Sequence, residues 1–404
     1  MMSTSKSSHA PLALDVAEVD AAVGKGWNLP AQLYVDPAVL ALEERAIFRR
    51  AWQIVGTERD VQNAGDFITT TVSGVPVVVS RAPDSKINAM VNVCRHRGKI
   101  VATEPRGNCD HFRCLYHAWN YDLDGTFMSA PSARSGGLPS GELLGLHPIA
   151  VDVWLGLVFV CLEPVESLLA FLGELPQVME ELGSPFDFGL STDLEFTSDV
   201  TVEMRANWKE WVENNHECYH CASVHPTTLS EVFCLDVQRF QTRTYHKGMH
   251  LSAPFQAKYG SLFEGRDEAP SAKFRDLEQY YIWPNMFFST TAGHGDAFFR
   301  IDPDGPDQCR VVTWTYSHSS TGKLDPDTKA LMDVAFDEVV QEDIVMSEQA
   351  HAGLKSGFYQ SGPLVRGRED LILYFQRMYW DALRPHVEEE LRAATGPIGT
   401  PSAR

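Results

Sequence analysis

The chain has 404 residues, 44% of them hydrophobic, and a formal net charge of −20. That length predicts two domains rather than one core. The acidic balance argues against nucleic acid as a partner and is compatible with a cationic substrate or a basic patch on a redox protein, and no apolar run approaches the roughly 20 residues of a bilayer span.

Residues 1–30 read as a loose arm. Met1 to Ala13 lacks an apolar h-region, so no secretory signal is expected and the location is read as cytoplasmic. A helix is predicted from Pro37 to Trp52, opened by Asp36-Pro37, with Leu40, Leu42, Ile47, Phe48 and Trp52 toward one face. Residues 1–45 are set apart as this arm and the start of its helix. The pattern then changes to short strands over 46–163. Phe67–Val72, Val75–Ser80 and Ala89–Val93 are β-rich runs divided by Ser73-Gly74 and by Ala82–Ser85. Asp124-Gly125 signals a hairpin, and Trp154–Val160 closes an all-β block.

Residues 164–394 mix helix and strand, which makes the whole chain α+β. Pro164–Gly183 reads as helix or linker, and Asn207–Val224 as a helix. Tyr280–Thr291, Ala297–Ile301 and Arg310–His318 read as strands, the last after the turn Asp302–Gly305. Two long helices, Asp325–Leu354 and Arg368–Ala394, end the fold. Residues 395–404 are rich in Gly, Pro and Ser and read as a flexible tail.

The β block carries Cys94-Arg95-His96 and then Cys114-Leu115-Tyr116-His117. Two loops that each offer one thiolate and one imidazole suit a Rieske [2Fe–2S] centre, where two Cys hold one iron and two His the other. A structural zinc site is the alternative, but zinc fingers pair like with like, C-x₂₋₄-C and H-x₃₋₅-H. Arg97-Gly98 after the first loop permits a tight backbone approach. Cys109 and His111 fall outside both pairs and are read as bystanders. A chain of this size needs no disulfide staples, so its eight cysteines are expected to be metal ligands or buried thiols.

The mixed region carries a second cluster. On a helix, Glu213, Glu217 and His220 would share one face, while Pro226 disfavours helical geometry at His225, so the helix is expected to end between the two histidines. Both imidazoles could then converge on one ion. Two His and one carboxylate form the facial arrangement of non-haem Fe(II) oxygenases. The carboxylate must come from elsewhere, and Asp343 is the best placed on its helix; Glu342 and Glu348 read as a solvated face. Cys218 and Cys221 form a C-x-x-C able to bind zinc, but no second such pair exists. His216 is expected to point away from the ion.

Cys94-x-His96, Cys114-x-x-His117-x-Trp119, Asn207-Trp-Lys, Glu213-Asn214 and Glu217-x-Tyr219-His220-x₄-His225 together resemble the α subunit of Rieske non-haem iron oxygenases, in order and spacing over about residues 35–385. The resemblance implies a Rieske domain ahead of a helix-grip catalytic domain. It implies Cys94, His96, Cys114 and His117 as cluster ligands, and His220, His225 and Asp343 as ligands of the mononuclear Fe(II). It implies catalytic roles for Glu217 and for Asn214 beside the iron. Glu217 would link His220 to His117 of a neighbouring copy, which requires a trimer. O₂ is the implied co-substrate, and a separate ferredoxin or flavin reductase fed by NAD(P)H the implied electron donor. The family's usual Pro and Gly in the second loop are Leu115 and Ala118 here, and its aromatic-ring dioxygenases mostly have Asp where this chain has Glu217.

The string Glu217-Cys-Tyr-His-Cys resembles oxygenases of glycine betaine, stachydrine, carnitine and choline, so a small quaternary ammonium substrate is expected. Hydroxylation of an aromatic acid or arene is the rival, and an electron carrier without oxygenase activity is the alternative of another class. Trp283, Phe287, Phe288, Phe298 and Tyr316 are the candidate walls of the substrate pocket, able to face a cation or a ring, or to be ordinary strand core.

Overall fold

The computed structural model describes residues 12–131, 141–182, 194–229, 240–254, 276–291, 295–318 and 326–394. The expected tail at 395–404 and the first residues of the arm lie outside these. The chain forms two compact units. One runs from Phe48 to Glu195; the other joins Met1–Ile47 to Phe196–Arg404. This division differs from the expected one at both ends of the β block. The arm belongs with the second unit, and residues 164–195 group with the β block.

The arm is not loose where it is described. Helix α1 (Val16–Lys25) opens at Asp15, whose carboxylate accepts the N–H groups of Ala17 and Glu18, and stops at Gly26 with φ of 71°. Asp20 on this helix accepts from Trp380 Nε1 at 2.7 Å and from Arg384 at 2.9 Å. Helix α2 (Gln32–Val35) follows. Helix α3 (Pro37–Glu43) starts at Asp36-Pro37 as expected, with the Asp36 carboxylate capping the Ala38 N–H at 2.8 Å. It passes into a π-helical turn, Glu44–Phe48, and so ends short of Trp52.

The unit from Phe48 holds β1 (Gln53–Thr57), β2 (Asp66–Val72), β3 (Val75–Arg81), β4 (Ile87–Val91) and β5 (Arg106–Asn108). It continues with β6 (Phe112–Arg113), β7 (Asn120–Tyr121), β8 (Phe127–Ser129), β9 (Pro148–Trp154) and β10 (Leu157–Cys161). Seven of them form an antiparallel sheet in the order β1-β10-β9-β4-β3-β2-β5; β6, β7 and β8 form a small second sheet. Alternation along β3 feeds two cores. Val78 joins Cys94, Cys114, Trp119 and Tyr121, whereas Val77 and Val79 join Val158 and Val160. Helices α4 (Leu168–Leu172) and α5 (Leu175–Leu182) complete the unit. Trp52 Nε1 donates to the Glu166 carbonyl at 3.1 Å, which fixes the approach to α4.

The other unit is built on a seven-stranded sheet of β11 (Leu194–Met204), β12 (Gln241–Tyr245), β13 (Gly248–Pro254), β14 (Asp276–Ile282), β15 (Met286–Thr291), β16 (Gly295–Pro303) and β17 (Cys309–His318), in the order β11-β17-β16-β15-β14-β13-β12. The single strand expected over 280–291 is a hairpin, because Pro284 has no N–H to continue a ladder. Helices α6 (Trp208–Asn214), α7 (Cys221–Val224), α8 (Pro326–Leu354) and α9 (Asp370–Ala394) complete it. Both long helices fall within two residues of their expected bounds.

A buried polar network anchors α6. Lys209 Nζ pairs with Glu43 Oε1 at 2.6 Å, and both side chains are 0% exposed. Glu43 also accepts from Trp208 Nε1 at 2.9 Å and from the Tyr379 hydroxyl at 2.5 Å. Lys209 lies 5.0–5.2 Å from the ring centres of Tyr34, Trp208 and Tyr379. Burial pulls its ammonium pKa down against the opposing pull of Glu43. Glu213, on the next turn of α6, accepts from Tyr34 at 2.8 Å and Gln376 at 2.9 Å, and burial lifts its carboxyl to about 7. Two segments distant in sequence, the arm and α9, thus grip one short helix, whose far end leads into the second histidine cluster.

Candidate metal centres

The first pair of loops is built twice on one plan. Cys94 N–H donates to the Lys99 carbonyl at 2.8 Å and Gly98 N–H to the Cys94 carbonyl at 3.0 Å. In the second loop Cys114 N–H donates to Trp119 at 2.9 Å and Ala118 N–H to Cys114 at 3.0 Å. Gly98 has φ of 71° and Ala118 has φ of 55°. The alanine therefore takes the left-handed turn that glycine adopts without steric cost, so the departure at 118 leaves the turn unchanged. Asn92, buried between the strands, accepts from Val101 and Ala102 N–H and donates to the Ala102 carbonyl, which braces the first loop.

Both cysteines are buried free thiols, while His96 is exposed and His117 half-buried. The two imidazole centroids lie 4.6 Å apart, and Trp119 stacks on His96 at 4.9 Å, nearly parallel. Two unpaired thiols inside and two adjacent imidazoles outside fit the ligand set of a Rieske cluster. Tyr121 adds a tuning group. Its hydroxyl lies 3.1 Å from Cys94 Sγ and also accepts the Arg95 N–H at 3.1 Å. Burial first, then the hydrogen bond to Cys94, raises its pKa, so the phenol keeps its proton and can donate it toward sulfur. Such a bond favours the more electron-rich, reduced cluster. Tyr121→Phe is expected to lower the midpoint potential by on the order of 50 mV, the one-electron equivalent of a hydrogen bond worth about 1 kcal/mol. Redox titration of the visible absorption measures it; an unchanged potential refutes the role.

The second cluster also converges, by a route the helical pattern did not show. The expected helix Asn207–Val224 is two pieces. It breaks after α6, turns through 215–220, and resumes as α7 with His220 as its N-cap and His225 as its C-cap. Glu213 therefore does not share a face with Glu217 and His220; it faces Tyr34 and Gln376 instead. Glu217 closes the turn. One of its oxygens accepts the backbone N–H groups of Tyr219 and His220, and the other meets His220 Nδ1. Cys218 and Cys221 are joined by a disulfide, with Cα atoms 4.9 Å apart, which corrects both the expectation of free thiols and the zinc alternative for this pair.

Helix α8 brings in the carboxylate. Asp343 Oδ1 lies 3.4 Å from His220 Nε2 and 2.9 Å from His225 Nε2. Ligand atoms of His220, His225 and Asp343 all fall within 4.8 Å of one another. His225 Nε2 and Asp343 Oδ1 are buried and lack a hydrogen-bond partner despite their closeness. Orphaned polar atoms aimed at one point fit an ion. Burial pulls the His220 pKa down, but Asp343 and Glu217 outweigh it and hold the imidazole up at about 9. His225 is raised against burial by Asp343 and Glu342. Burial would lift the Asp343 carboxyl, yet the two histidines keep it below the usual range. Without metal, then, the His220 imidazole is protonated below about pH 9 and its neighbours favour the protonated form of His225 too, so a divalent ion must displace protons to bind. Affinity of the metal-free site for Co(II) is expected to rise with pH toward about 9, roughly tenfold per unit for each proton released. Titration calorimetry in buffers of different ionisation enthalpy counts those protons; a pH-independent affinity contradicts the assignment.

Two models of known families match the chain: a Rieske [2Fe-2S] domain over residues 51–148 and a ring hydroxylating alpha subunit catalytic domain over 191–384. The chain belongs to the Rieske oxygenase α subunits. Its cofactors are accordingly a Rieske [2Fe–2S] cluster and a mononuclear iron. It is 27% identical to the glycine betaine monooxygenase oxygenase subunit of Chromohalobacter salexigens, over 90% of this chain and 87% of that one. It is 27% identical to the carnitine monooxygenase oxygenase subunit of Acinetobacter baumannii, over 87% and 94%. The crystal structure of a quaternary ammonium Rieske monooxygenase bound to L-carnitine shares the fold, with a TM-score of 0.76 at 22% identity over 92% of this chain and 99% of that one. This Rieske oxygenase is thus a terminal component related to the quaternary ammonium monooxygenases.

The remaining candidates are placed unevenly. Asn214 is the last residue of α6 and half-buried, and among the described residues it makes no hydrogen bond to the three convergent ligands. His216 packs as a buried ring against Tyr281, Phe287 and Phe375, and burial lowers its pKa to about 3. The five pocket aromatics do not share a wall. Adjacent strand residues point to opposite faces, so Phe287 and Phe288 part company. Phe288 opposes Phe298, which opposes Trp314, and Tyr316 belongs to that same face. Phe287 lies with Tyr281 and Phe299 on the other face, stacking on Phe299 at 4.9 Å. That second face meets the iron turn: His216 touches Tyr281 and Phe287, and Gln279 donates to Asn215 at 3.5 Å. Trp283 sits in the β14–β15 turn beside Phe375. Sequence reading missed Phe299, which the period-two pattern from Ile301 would have set on the Phe287 side. It also misread Glu342, which reaches His225, while Glu348 lies on the solvated face as expected, in a bidentate pair with the exposed Arg205.

Proposed function

We propose that this oxygenase acts on a small quaternary ammonium compound, by oxidative N-demethylation or by hydroxylation beside the nitrogen. The observation that carries this reading is the likeness to glycine betaine and carnitine oxygenase subunits along nearly the whole chain. The net charge of −20 favours a cation. Cys94 and Cys114 would hold one iron of the cluster and His96 and His117 the other; His220, His225 and Asp343 would hold the mononuclear iron. Bound there, the two centres supply single electrons and O₂ activation next to the substrate.

Glu217 fixes the His220 ring through Nδ1 and leaves Nε2 toward Asp343. In this reading it also reaches His117 of a neighbouring copy, so the working form is a homotrimer and electrons cross between chains. Asn214 closes the helix that delivers this turn. The sheet face bearing Phe287 and Phe299 is the substrate wall, and its ring faces suit a trimethylammonium group. A separate NAD(P)H-dependent reductase supplies the electrons, and the protein works in the cytoplasm; among the described residues no helix is long and apolar enough to cross a membrane.

The test is turnover of glycine betaine, carnitine, choline and stachydrine by the purified protein with a ferredoxin or flavin reductase and NADH. Formaldehyde or a released amine, matched to O₂ uptake, is the expected result. A phenol or cis-dihydrodiol from arenes, with no N-methyl compound turned over, overturns the substrate class. No O₂ uptake with any of them, in protein that holds the cluster, returns the chain to an electron carrier.

A further inference from the structure

We infer that Glu342 is the positioning residue of the second iron histidine: its carboxylate holds His225 by Nδ1 so that Nε2 faces the metal point. Glu342 precedes Asp343 on α8, and neighbours on a helix normally point to different surroundings. Here both reach one imidazole. Glu342 Oε2 lies 2.7 Å from His225 Nδ1, and Asp343 Oδ1 lies 2.9 Å from His225 Nε2. The two carboxylates bracket the ring along its long axis.

The His225 side chain is 1% exposed, so solvent is kept from the ring and the acceptor at Nδ1 comes from the protein. A neutral imidazole has a single N–H. An anion at Nδ1 keeps that proton there and leaves the Nε2 lone pair for an ion. Glu342 is itself held, because the Thr228 hydroxyl donates to the same Oε2 at 2.7 Å. A solvated surface acid would not be gripped from two sides on a side chain 31% exposed. The chain Thr228–Glu342–His225 repeats, from a different element, what Glu217 does at Nδ1 of His220. Both histidines of the centre are then oriented by carboxylates that do not themselves touch the ion, one from the turn before His220 and one from α8.

The inference rests on His225 as a metal ligand, so the experiment separates the two claims. Protein retaining its cluster, with the mononuclear site emptied by a chelator, is titrated with Co(II) as wild type and as His225→Ala, Glu342→Ala, Glu342→Gln and Thr228→Val. Rieske absorption serves as the control for folding. His225→Ala should lose the site. Glu342→Ala should weaken binding about 10- to 100-fold. Glu342→Gln, whose amide oxygen still accepts from Nδ1–H, should recover part of that loss, and Thr228→Val should lose least. Proton NMR of the Co(II) form reads the geometry directly. The exchangeable Nδ1–H resonance of His225 stays sharp in wild type and broadens by solvent exchange in Glu342→Ala. If Glu342→Ala binds Co(II) as wild type does and keeps that resonance while His225→Ala does not bind, the positioning role is wrong and the ligand set stands. If His225→Ala binds normally, both fall.

Discussion

Asp343→Ala is expected to abolish substrate oxidation while leaving the Rieske spectrum intact. The carboxylate is the only anionic member of the convergent set, and its Oδ1 lies within reach of both Nε2 atoms. Removing it takes away one ligand and the counter-charge that raises both histidines. The two imidazoles left are a poor Fe(II) site, since hard carboxylate oxygen is part of what selects that ion. Iron analysis should find only the two irons of a [2Fe–2S] cluster, against one more in wild type, and turnover should fall to background. Asp343→Asn should lose iron as well, because a neutral amide oxygen fills the space without the charge. Full iron content and activity in either variant would move the third ligand elsewhere, with Glu342 the first alternative to try.

The second large effect lies away from the metals. Glu43→Ala should destabilise the unit that carries the iron turn by about 3–5 kcal/mol, because it strands the Lys209 ammonium in a site with no exposure. That is a large share of the roughly 5–15 kcal/mol a domain commands. The Trp208 and Tyr379 donors lose their acceptor at the same time. Glu43→Gln with Lys209→Met should be far milder than Glu43→Ala alone, since neither charge then remains buried. Urea unfolding followed by tryptophan fluorescence measures both. A cost below about 1 kcal/mol for Glu43→Ala would mean the lysine finds water or another anion. Loss of activity should track loss of folded protein, with the Rieske absorption retained longer.

The side chains that converge were legible because ligand chemistry restricts both residue type and spacing. Cys94-x-His96 and Cys114-x-x-His117 need no tertiary information to be read as a clamp. Asp343 was chosen from the rotation of one helix together with the family resemblance. The helices α8 and α9 were legible from length, and β2 and β3 from β-branched composition and the turns between them. What was not legible depends on partners far along the chain. Glu43 meets Lys209 across 166 residues, and no local pattern marks an acid at the end of α3 as buried. Glu342 reads as solvated until His225 and Thr228 are placed against α8. The break after α6 was hidden because the shared face of Glu213, Glu217 and His220 was weighed and the weak helix formers between them, Asn214, Asn215, His216, Cys218 and Tyr219, were not; its cause is Glu217 binding backbone N–H groups that a continuous helix would use otherwise. The aromatic wall failed for a simpler reason. Residue type was weighed and strand parity was not.

The arm's buried glutamate bears on how this protein can be taken apart. Residues 48–195 form an uninterrupted stretch that lies, as an insertion, within a unit whose two pieces are distant in sequence. Cutting before Phe48 and after Glu195 therefore leaves the cluster side in one piece. The same cuts deprive the iron side of Glu43, of Tyr34 against Glu213, and of Asp20 against Trp380 and Arg384. A fragment carrying the cluster can be expressed as a single excised segment. The iron-binding half has to be spliced, with the arm ending at Ile47 joined by a linker to Phe196 in β11, before any of its chemistry can be studied in isolation.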